Sequence, residues 1–307
     1  MIKEDKKMET VSCNLCGSQN FAVVYKERYD LEKDFDIVEK YRASGDEMLI
    51  DRVVKCKKCG LIYISPRSKP ELILKGYSEG SDDTFVSQAN AREKTFYDSL
   101  RGIEKFAPNK GKILDIGTAA GSFLSAAKKR GWKVYGCEPN KWMAQWGNKK
   151  YGLNISPGTL FEQKYKKEDF DTVTLWDVIE HTPDPSKVLL EANRILKSRG
   201  TLVINYPDIG SWIAKLLKRK WLFLISVHLF YFNKKTIKKI LARNGFEILC
   251  IKPHFQKLEL GYIIFRAGAY SKLLSKIGLG IVKILGLEHK QVPYWLGQTF
   301  VIARKIK

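Results

Sequence analysis

From Gly111 to the end of the chain, short apolar runs alternate with amphipathic ones. Few folds accommodate that pattern besides a mostly parallel α/β sheet. Lys112 to Ile116 (KILDI) reads as a short buried strand, Gly117 to Gly121 (GTAAG) as a tight loop of small residues, and Ser122 to Arg130 as a helix. A second strand runs from Trp132 to Cys137 and ends at Glu138, and a short third lies near Leu153 to Ser156. Phe170 to Trp176 is the fourth strand. Pro185 to Lys197 is an amphipathic helix closed by Gly200, and Thr201 to Tyr206 is the fifth strand. Lys234 to Asn244 is a helix ended by Gly245, with Phe246 to Ile251 and Gln298 to Ala303 as the sixth and seventh strands. The expected fold is therefore a doubly wound, seven-stranded, mostly parallel sheet. Ligands of such sheets bind at the carboxyl ends of the strands, near the switch in strand order. The GTAAG loop suits that place: small residues let backbone approach a ligand, and the helix start adds unpaired N–H groups. Glu138 follows the loop by about 20 residues, where an acid accepts the ribose hydroxyls of an adenosine cofactor, either NAD or S-adenosylmethionine.

Four of the six cysteines form two pairs, Cys13-x-x-Cys16 and Cys56-x-x-Cys59, each followed by glycine. Glycine can take the positive φ that a tight loop of amides around a thiolate needs. Two such knuckles supply the closed tetrahedral set of a structural zinc site, with a folding role and no open catalytic position. A redox CxxC is the competing reading, and the pairing of two knuckles argues against it. Cys137 and Cys250 lie in apolar strand-like runs and are expected to be buried. A zinc-ribbon-like module over residues 1–76 would then precede a domain over 77–307.

The residues match a family. ILDIGTAAGSFL resembles the first motif of class I S-adenosylmethionine-dependent methyltransferases, and VYGCEPN their ribose-acid segment. FDTVTLWDVIEHTPDPSKVLLEANRILKSRGTLVINYPD resembles their fourth strand, "EH" turn, next helix and fifth strand. The cysteine module resembles the zinc segment that precedes this domain in sugar C-methyltransferases and related bacterial and archaeal enzymes. Those sugar enzymes continue into a further domain after the seventh strand, where this sequence stops. Ala119 also departs from the glycine many members carry. The resemblance implies that Asp115, Gly117, Thr118 and Gly121 line the methionine and ribose portion of S-adenosylmethionine. It implies that Glu138 holds the ribose, that Thr159 and Leu160 lie beside adenine, and that Trp176 and Asp177 flank the cofactor.

Methyl transfer to oxygen or carbon needs a base, and the chain has four histidines. His181 sits at the EH turn and His228 in the aromatic run HLFYF. Both are candidate catalytic residues, and both can equally be read as turn or packing residues. His254 follows the sixth strand, and His289 lies in a polar loop. Tyr206, Asp208 and Tyr231 are weaker candidates.

Charge is uneven: residues 209–307 carry 19 basic and 3 acidic residues of the chain's 54 and 33. Two insertions account for much of this stretch. Residues 209–233 separate the fifth strand from its helix, and residues 253–296 separate the sixth and seventh strands. Both leave from carboxyl ends of strands and are expected to form a cap over an acceptor pocket. Lys272, Lys276 and Lys283 fall on one side of a helix whose remainder is Ile277, Leu279, Ile281, Val282, Ile284 and Leu285. That pattern fits a helix lying in an anionic membrane interface and equally an apolar cap with a solvated lysine face. The acceptor is accordingly expected to be a small molecule, a sugar or a lipid-linked glycan.

The alternative is an RNA methyltransferase that grips nucleic acid with the zinc module and the basic third. Against it, the fourth strand ends in LWDVIEH rather than Asn/Asp-Pro-Pro-Tyr. No cysteine follows the fourth or fifth strand as cytosine C5 methylation requires, and the basic residues are interleaved with aliphatic ones. Nucleic acid is therefore not the expected partner. A non-catalytic binding protein is disfavoured by the intact loop and Glu138. The longest apolar run, Trp221 to Phe232, is shorter than the roughly 20 residues of a spanning helix. Met1 to Glu9 lacks an apolar signal core, so the expected location is cytoplasmic, including the inner membrane face.

Overall fold

The computed structural model describes residues 7–28, 41, 49–268 and 271–306; between the two cysteine pairs, residues 29–40 and 42–48 lie outside them. The cysteines sit on an antiparallel sheet of β1 (Phe21–Tyr25), β2 (Val53–Cys56) and β3 (Ile62–Ile64). A helix α1 (Pro70–Ser78), opened by proline where no N–H is needed, leads to the longer α2 (Ala89–Glu104).

The central sheet then begins. Its strands are β4 (Lys112–Ile116), β5 (Lys133–Glu138), β6 (Ile155–Pro157), β7 (Phe170–Trp176) and β8 (Leu196–Pro207). The first three are joined by α3 (Ser122–Lys129) and α4 (Lys141–Tyr151), and β7 is joined to β8 by α5 (Pro185–Ile195). After β8 come a short α6 (Trp212–Leu217), β9 (Phe230–Tyr231), α7 (Lys234–Arg243) and β10 (Phe246–Pro253). A hairpin stem of β11 (Gln256–Glu259) and β12 (Gln291–Tyr294) carries α8 (Leu260–Ala267) and α9 (Lys272–Ile284), and β13 (Gln298–Lys305) closes the sheet.

The seven strands are ordered β10-β13-β8-β7-β4-β5-β6. All run parallel except β13, which is antiparallel to both neighbours. The order reverses between β4 and β7, so the switch point lies where the GTAAG loop leaves β4. Central strands of a parallel sheet are covered on both faces and read as continuous apolar runs. Ile113, Leu114, Val173, Leu175 and Leu202 accordingly show no exposed surface.

Helix α5 ends two residues earlier than its sequence suggests, at Ile195, and Gly200 lies inside β8 rather than closing the helix. Leu196 turns extended (φ −70°, ψ 137°), is fully buried and pairs with Phe170; the register then slips before Thr201. Burial of one leucine side chain, about 1.5–3 kcal/mol, outweighs two more residues of helix. Cys137 is buried as expected, whereas Cys250 is only half-buried.

The cysteine sheet is not built from its own segment alone. Strand β9 pairs antiparallel with β3, Phe230 opposite Tyr63 and Tyr231 opposite Ile62, making a four-stranded sheet with one strand from the first insertion. The knuckle around Cys13 also docks on the start of α5. Asn14 donates to the capping carboxylate of Asp184 (2.7 Å) and accepts from Ser186 N–H (3.1 Å), while Arg243 of α7 donates to the Leu15 carbonyl. The boundary placed at residue 76 falls within α1. No helix among the described residues is long and apolar enough to cross a membrane.

Candidate active site

A cavity of about 870 Å³ opens at the carboxyl ends of β4, β5 and β7. Its floor is formed by Gly117 to Ala120 of the GTAAG loop, and Gly121, expected there too, turns the loop without lining the cavity. Gly117 (φ 63°), Ala119 (φ 48°) and Gly121 (φ 77°) are all left-handed. A Cβ on Gly117 would meet Val178 at 2.9 Å, and one on Gly121 would meet Leu153 and Ile155 at 2.8 and 2.9 Å. Glycine is therefore required at both positions on conformational and steric grounds. Alanine at 119 takes the left-handed turn at a cost of about 1 kcal/mol, and its N–H donates to Glu138 Oε2 at 2.7 Å. The other Glu138 oxygen accepts from Asn140 N–H at 2.9 Å. Burial pushes the Glu138 carboxyl up to about 7 against the pull of those two N–H groups. Asp115 is also pushed to about 7 by burial, opposed by the Thr174 hydroxyl, which donates to it at 2.6 Å. Thr118 lines the cavity with them.

At the end of β7 the two expected residues part in role. Asp177 (φ 53°) accepts from Asn205 Nδ2 at 2.6 Å and is pushed to about 6 by burial, against the attraction of Arg92. Trp176 lines the cavity but packs its ring among Phe96, Phe123, His254 and Phe300, with centroids 5.0–5.7 Å away. Leu160 is a buried wall residue. Thr159 also lines the cavity, but its N–H and hydroxyl both donate to Glu162 (2.6 and 2.7 Å), a bond within its own turn. A buried carboxylate at the end of β5, a glycine floor and an open volume fit an adenosine-bearing cofactor.

The two candidate histidines converge although 47 positions separate them in the chain. Their rings meet edge to face at 4.6 Å. His228 donates Nδ1–H to the Phe223 carbonyl at 2.8 Å, which leaves its Nε2 lone pair free to accept. His181 Nδ1 lies 2.5 Å from the Tyr77 hydroxyl of α1, which also approaches the Val227 carbonyl at 3.4 Å. Burial lowers both imidazoles: His228 to about 4, and His181 well below its ordinary value, with His228 beside it adding to the effect.

Sequence reasoning passed over Glu180 and Tyr77. The reactive atoms of Glu180, His181 and His228 lie within 4.8 Å of one another. Glu180 is 1% exposed, and neither carboxylate oxygen has a hydrogen-bond partner among the described residues. Burial, then the charge of Asp177, holds it well above the ordinary carboxylate range. Its signal was the acid adjoining His181 in an otherwise apolar turn. Tyr77 had no signal, because only the tertiary fold brings α1 to the cavity. None of Tyr206, Asp208, Tyr231, His254 and His289 lines the cavity. Tyr231 donates to the Ile225 carbonyl, and His254 sits within hydrogen-bond distance of the Ser99 hydroxyl.

Both insertions reach the cavity. Leu222, Phe223 and Ile225 come from the first, and Leu258, Tyr262 and Ile263 from the second. About the cysteines, Cys13 and Cys59 Sγ are 3.4 Å apart and Cys16 and Cys56 Sγ 3.5 Å, with all four within 4.8 Å of one another. Gly17 and Gly60 carry positive φ (71° and 81°), and their N–H groups bond back to Cys13 and Cys56. A tetrahedral zinc at 2.3 Å from each sulfur spaces them about 3.8 Å apart, so the set fits such an ion.

The methyltransferase-domain family profile matches residues 91–251, more than half of the chain. The chain belongs to that family, the S-adenosylmethionine-dependent methyltransferases of class I. An uncharacterized protein of Methanocaldococcus jannaschii is 28% identical over 144 residues, 47% of this chain and 65% of that protein. The ubiquinone biosynthesis O-methyltransferase of Pseudomonas fluorescens is 30% identical over 125 residues, 35% of this chain and 54% of its own. The sarcosine/dimethylglycine N-methyltransferase of Aphanothece halophytica is 28% identical over 144 residues, 42% and 52%. The chain thus spans about half to two thirds of the length of the curated relatives it matches. The solved structure of a SAM-dependent methyltransferase from Archaeoglobus fulgidus shares the fold, with a TM-score of 0.51 and 20% identity over 73% of this chain and 100% of that one.

Proposed function

We propose that the protein methylates a small-molecule, sugar or lipid-linked acceptor, with the Glu180–His181–His228 cluster handling the acceptor's proton. When bound, S-adenosylmethionine supplies an electrophilic methyl group. Asp115, Gly117 and Thr118 form the floor on which it would rest, Gly121 holds the turn of the loop behind them, and Glu138 would accept from the ribose hydroxyls. Thr159, Leu160, Trp176 and Asp177 would border it. The acceptor's hydroxyl, carbon acid or amine faces His228 Nε2, the one imidazole nitrogen of the pair whose lone pair is freed by a fixed Nδ1–H donor. The Glu180 carboxyl, which burial holds toward its protonated form, stands within reach of both imidazoles and helps to fix their places. Tyr77 and His181 are positioning residues that hold this arrangement.

The carrying observation is the convergence of two histidines on the cavity that contains the GTAAG loop, with the buried Glu180 carboxyl within 4.8 Å of both. The apolar lining from the insertions, and relatives named for O- and N-methylation of small molecules, support a compact acceptor over a polynucleotide. The four cysteines hold zinc in a folding role. His228→Ala should lower kcat by about 10²–10⁴-fold and leave S-adenosylmethionine affinity unchanged by calorimetry. A kcat within threefold of wild type would remove His228 from the chemistry.

A further inference from the structure

We infer that α9, together with α6 and the aromatic residues beside it, is a docking surface for an anionic lipid bilayer. This rests on the methyltransferase reading only for its consequence, that the acceptor arrives from the lipid. Helix α9 buries only Ser275 and Val282 among its residues. Leu273, Leu274, Ile277, Ile281, Ile284 and Leu285 are 51–87% exposed. At 3.6 residues per turn these six fall in one arc roughly 120° wide, with Lys272, Lys276 and Lys283 in a narrow arc beside it. Ser275 and Val282 lie opposite, against α8, where the Ser275 hydroxyl donates to the Ile264 carbonyl at 2.8 Å. The apolar stripe is therefore neither the core face nor the lysine face. A water-exposed stripe of this size marks an interaction surface.

The first insertion adds to it. Trp212 and Leu216 of α6 are 65% and 70% exposed. The Trp212 ring lies 6.0 Å from Trp295, which lies 6.4 Å from the exposed Phe255, so aromatic residues bridge the two insertions. Neither 209–233 nor 260–287 contains an acid, and each contains four basic residues. Exposed aliphatic and aromatic side chains flanked by lysines, with no carboxylate among them, complement an anionic headgroup layer. They do not complement an acidic protein surface, which would leave the leucines and isoleucines wet. The helix is too short to cross and is built to lie flat. The opposite face of its partner α8 lines the cavity through Tyr262 and Ile263. Docking in this pose sets the cavity mouth at the headgroups, where an amphiphilic acceptor can enter without leaving the membrane.

The test is co-sedimentation of the zinc-loaded full chain with phosphatidylcholine vesicles, with and without 30 mol% phosphatidylglycerol. Binding should require phosphatidylglycerol and weaken in high salt. Leu274→Glu/Ile281→Glu/Ile284→Glu should lower it at least tenfold, and Lys272→Glu/Lys276→Glu/Lys283→Glu should abolish the phosphatidylglycerol dependence. None of these residues lines the cavity, so both variants should bind S-adenosylmethionine as wild type does, which also proves them folded. Three results would overturn docking: no vesicle binding by protein that binds the cofactor, vesicle binding indifferent to both variants, or a dimer in sedimentation velocity that the triple glutamate variant dissociates. Vesicle binding without cofactor binding would leave docking standing and sink the methyltransferase reading instead.

Discussion

Glu138 shows how much one carboxylate can carry. It is held by the N–H groups of Ala119 and Asn140, and burial raises it to about 7 from an ordinary value of 4.5. Its protonated form contributes stability that is fully present below about pH 4.5 and is lost as pH rises through about 7. The buried histidines act in the opposite direction: His228 and His254, lowered to about 4, are neutral in the fold while the unfolded imidazoles still bind protons near their ordinary 6.5, so they favour higher pH. Glu138→Gln should therefore gain melting temperature relative to wild type as pH rises from about 5 to about 8 in thermal scans of the ligand-free proteins, and a pH-independent difference would exclude the raised Glu138. Ribose binding needs the ionised form, so S-adenosylmethionine affinity should rise by about tenfold from pH 6 to pH 8. Calorimetry showing a pH-independent affinity would exclude Glu138 as the ribose acceptor. Glu138 and the loop glycines were legible in the sequence because their spacing along β4, the loop and β5 is local. Glu180 was passed over, because its place beside His181 was visible in the sequence but the loss of its water is decided only by the tertiary fold.

At the scale of elements, strands with continuous apolar runs could be placed from the sequence within a residue or two, as Phe170–Trp176 was. Strand β8 could not be started correctly, because Arg199 and Gly200 read as a helix stop while the burial of Leu196 was decided by Phe170 across the sheet. Strand β9 was invisible for a related reason. Two residues pairing with β3 make no periodic pattern, yet they tie His228 to the cysteine sheet. Disrupting that sheet should therefore reach the chemistry. Cys16→Ser, or zinc removal with a chelator, should lower kcat by roughly tenfold or more while S-adenosylmethionine affinity stays within about threefold. Equal losses of both would mean the whole fold depends on the metal; unchanged turnover would mean β9 holds its place alone.

For the molecule as a whole, the charge count located the basic third but not its partition into a β-stemmed helical hairpin and a loop shared with the N-terminal sheet. The hairpin is anchored at its stem, where the Lys257 N–H donates to the Thr95 hydroxyl of α2 at 2.8 Å. It should therefore be removable as a unit. Replacing residues 260–287 by a short turn between β11 and β12 should leave a folded protein that binds S-adenosylmethionine. Acceptor turnover should fall at least about tenfold with the loss of its positioning wall. Retained turnover would show that the acceptor never meets α8.

The shared strand also bears on how the chain is made. The four cysteines are complete once Cys59 is synthesised, but the last strand of their sheet lies beyond residue 229. At about 5–20 residues per second, a ribosome needs roughly ten to thirty seconds to bridge that gap. Through that interval β3 presents an open edge on the nascent chain, the kind of surface that pairs with the wrong neighbour. Under the proposed zinc role, metal capture by the cysteines would pin β1 to β3 early, so zinc supply during translation, rather than in the finished protein, is where scarcity would do its damage.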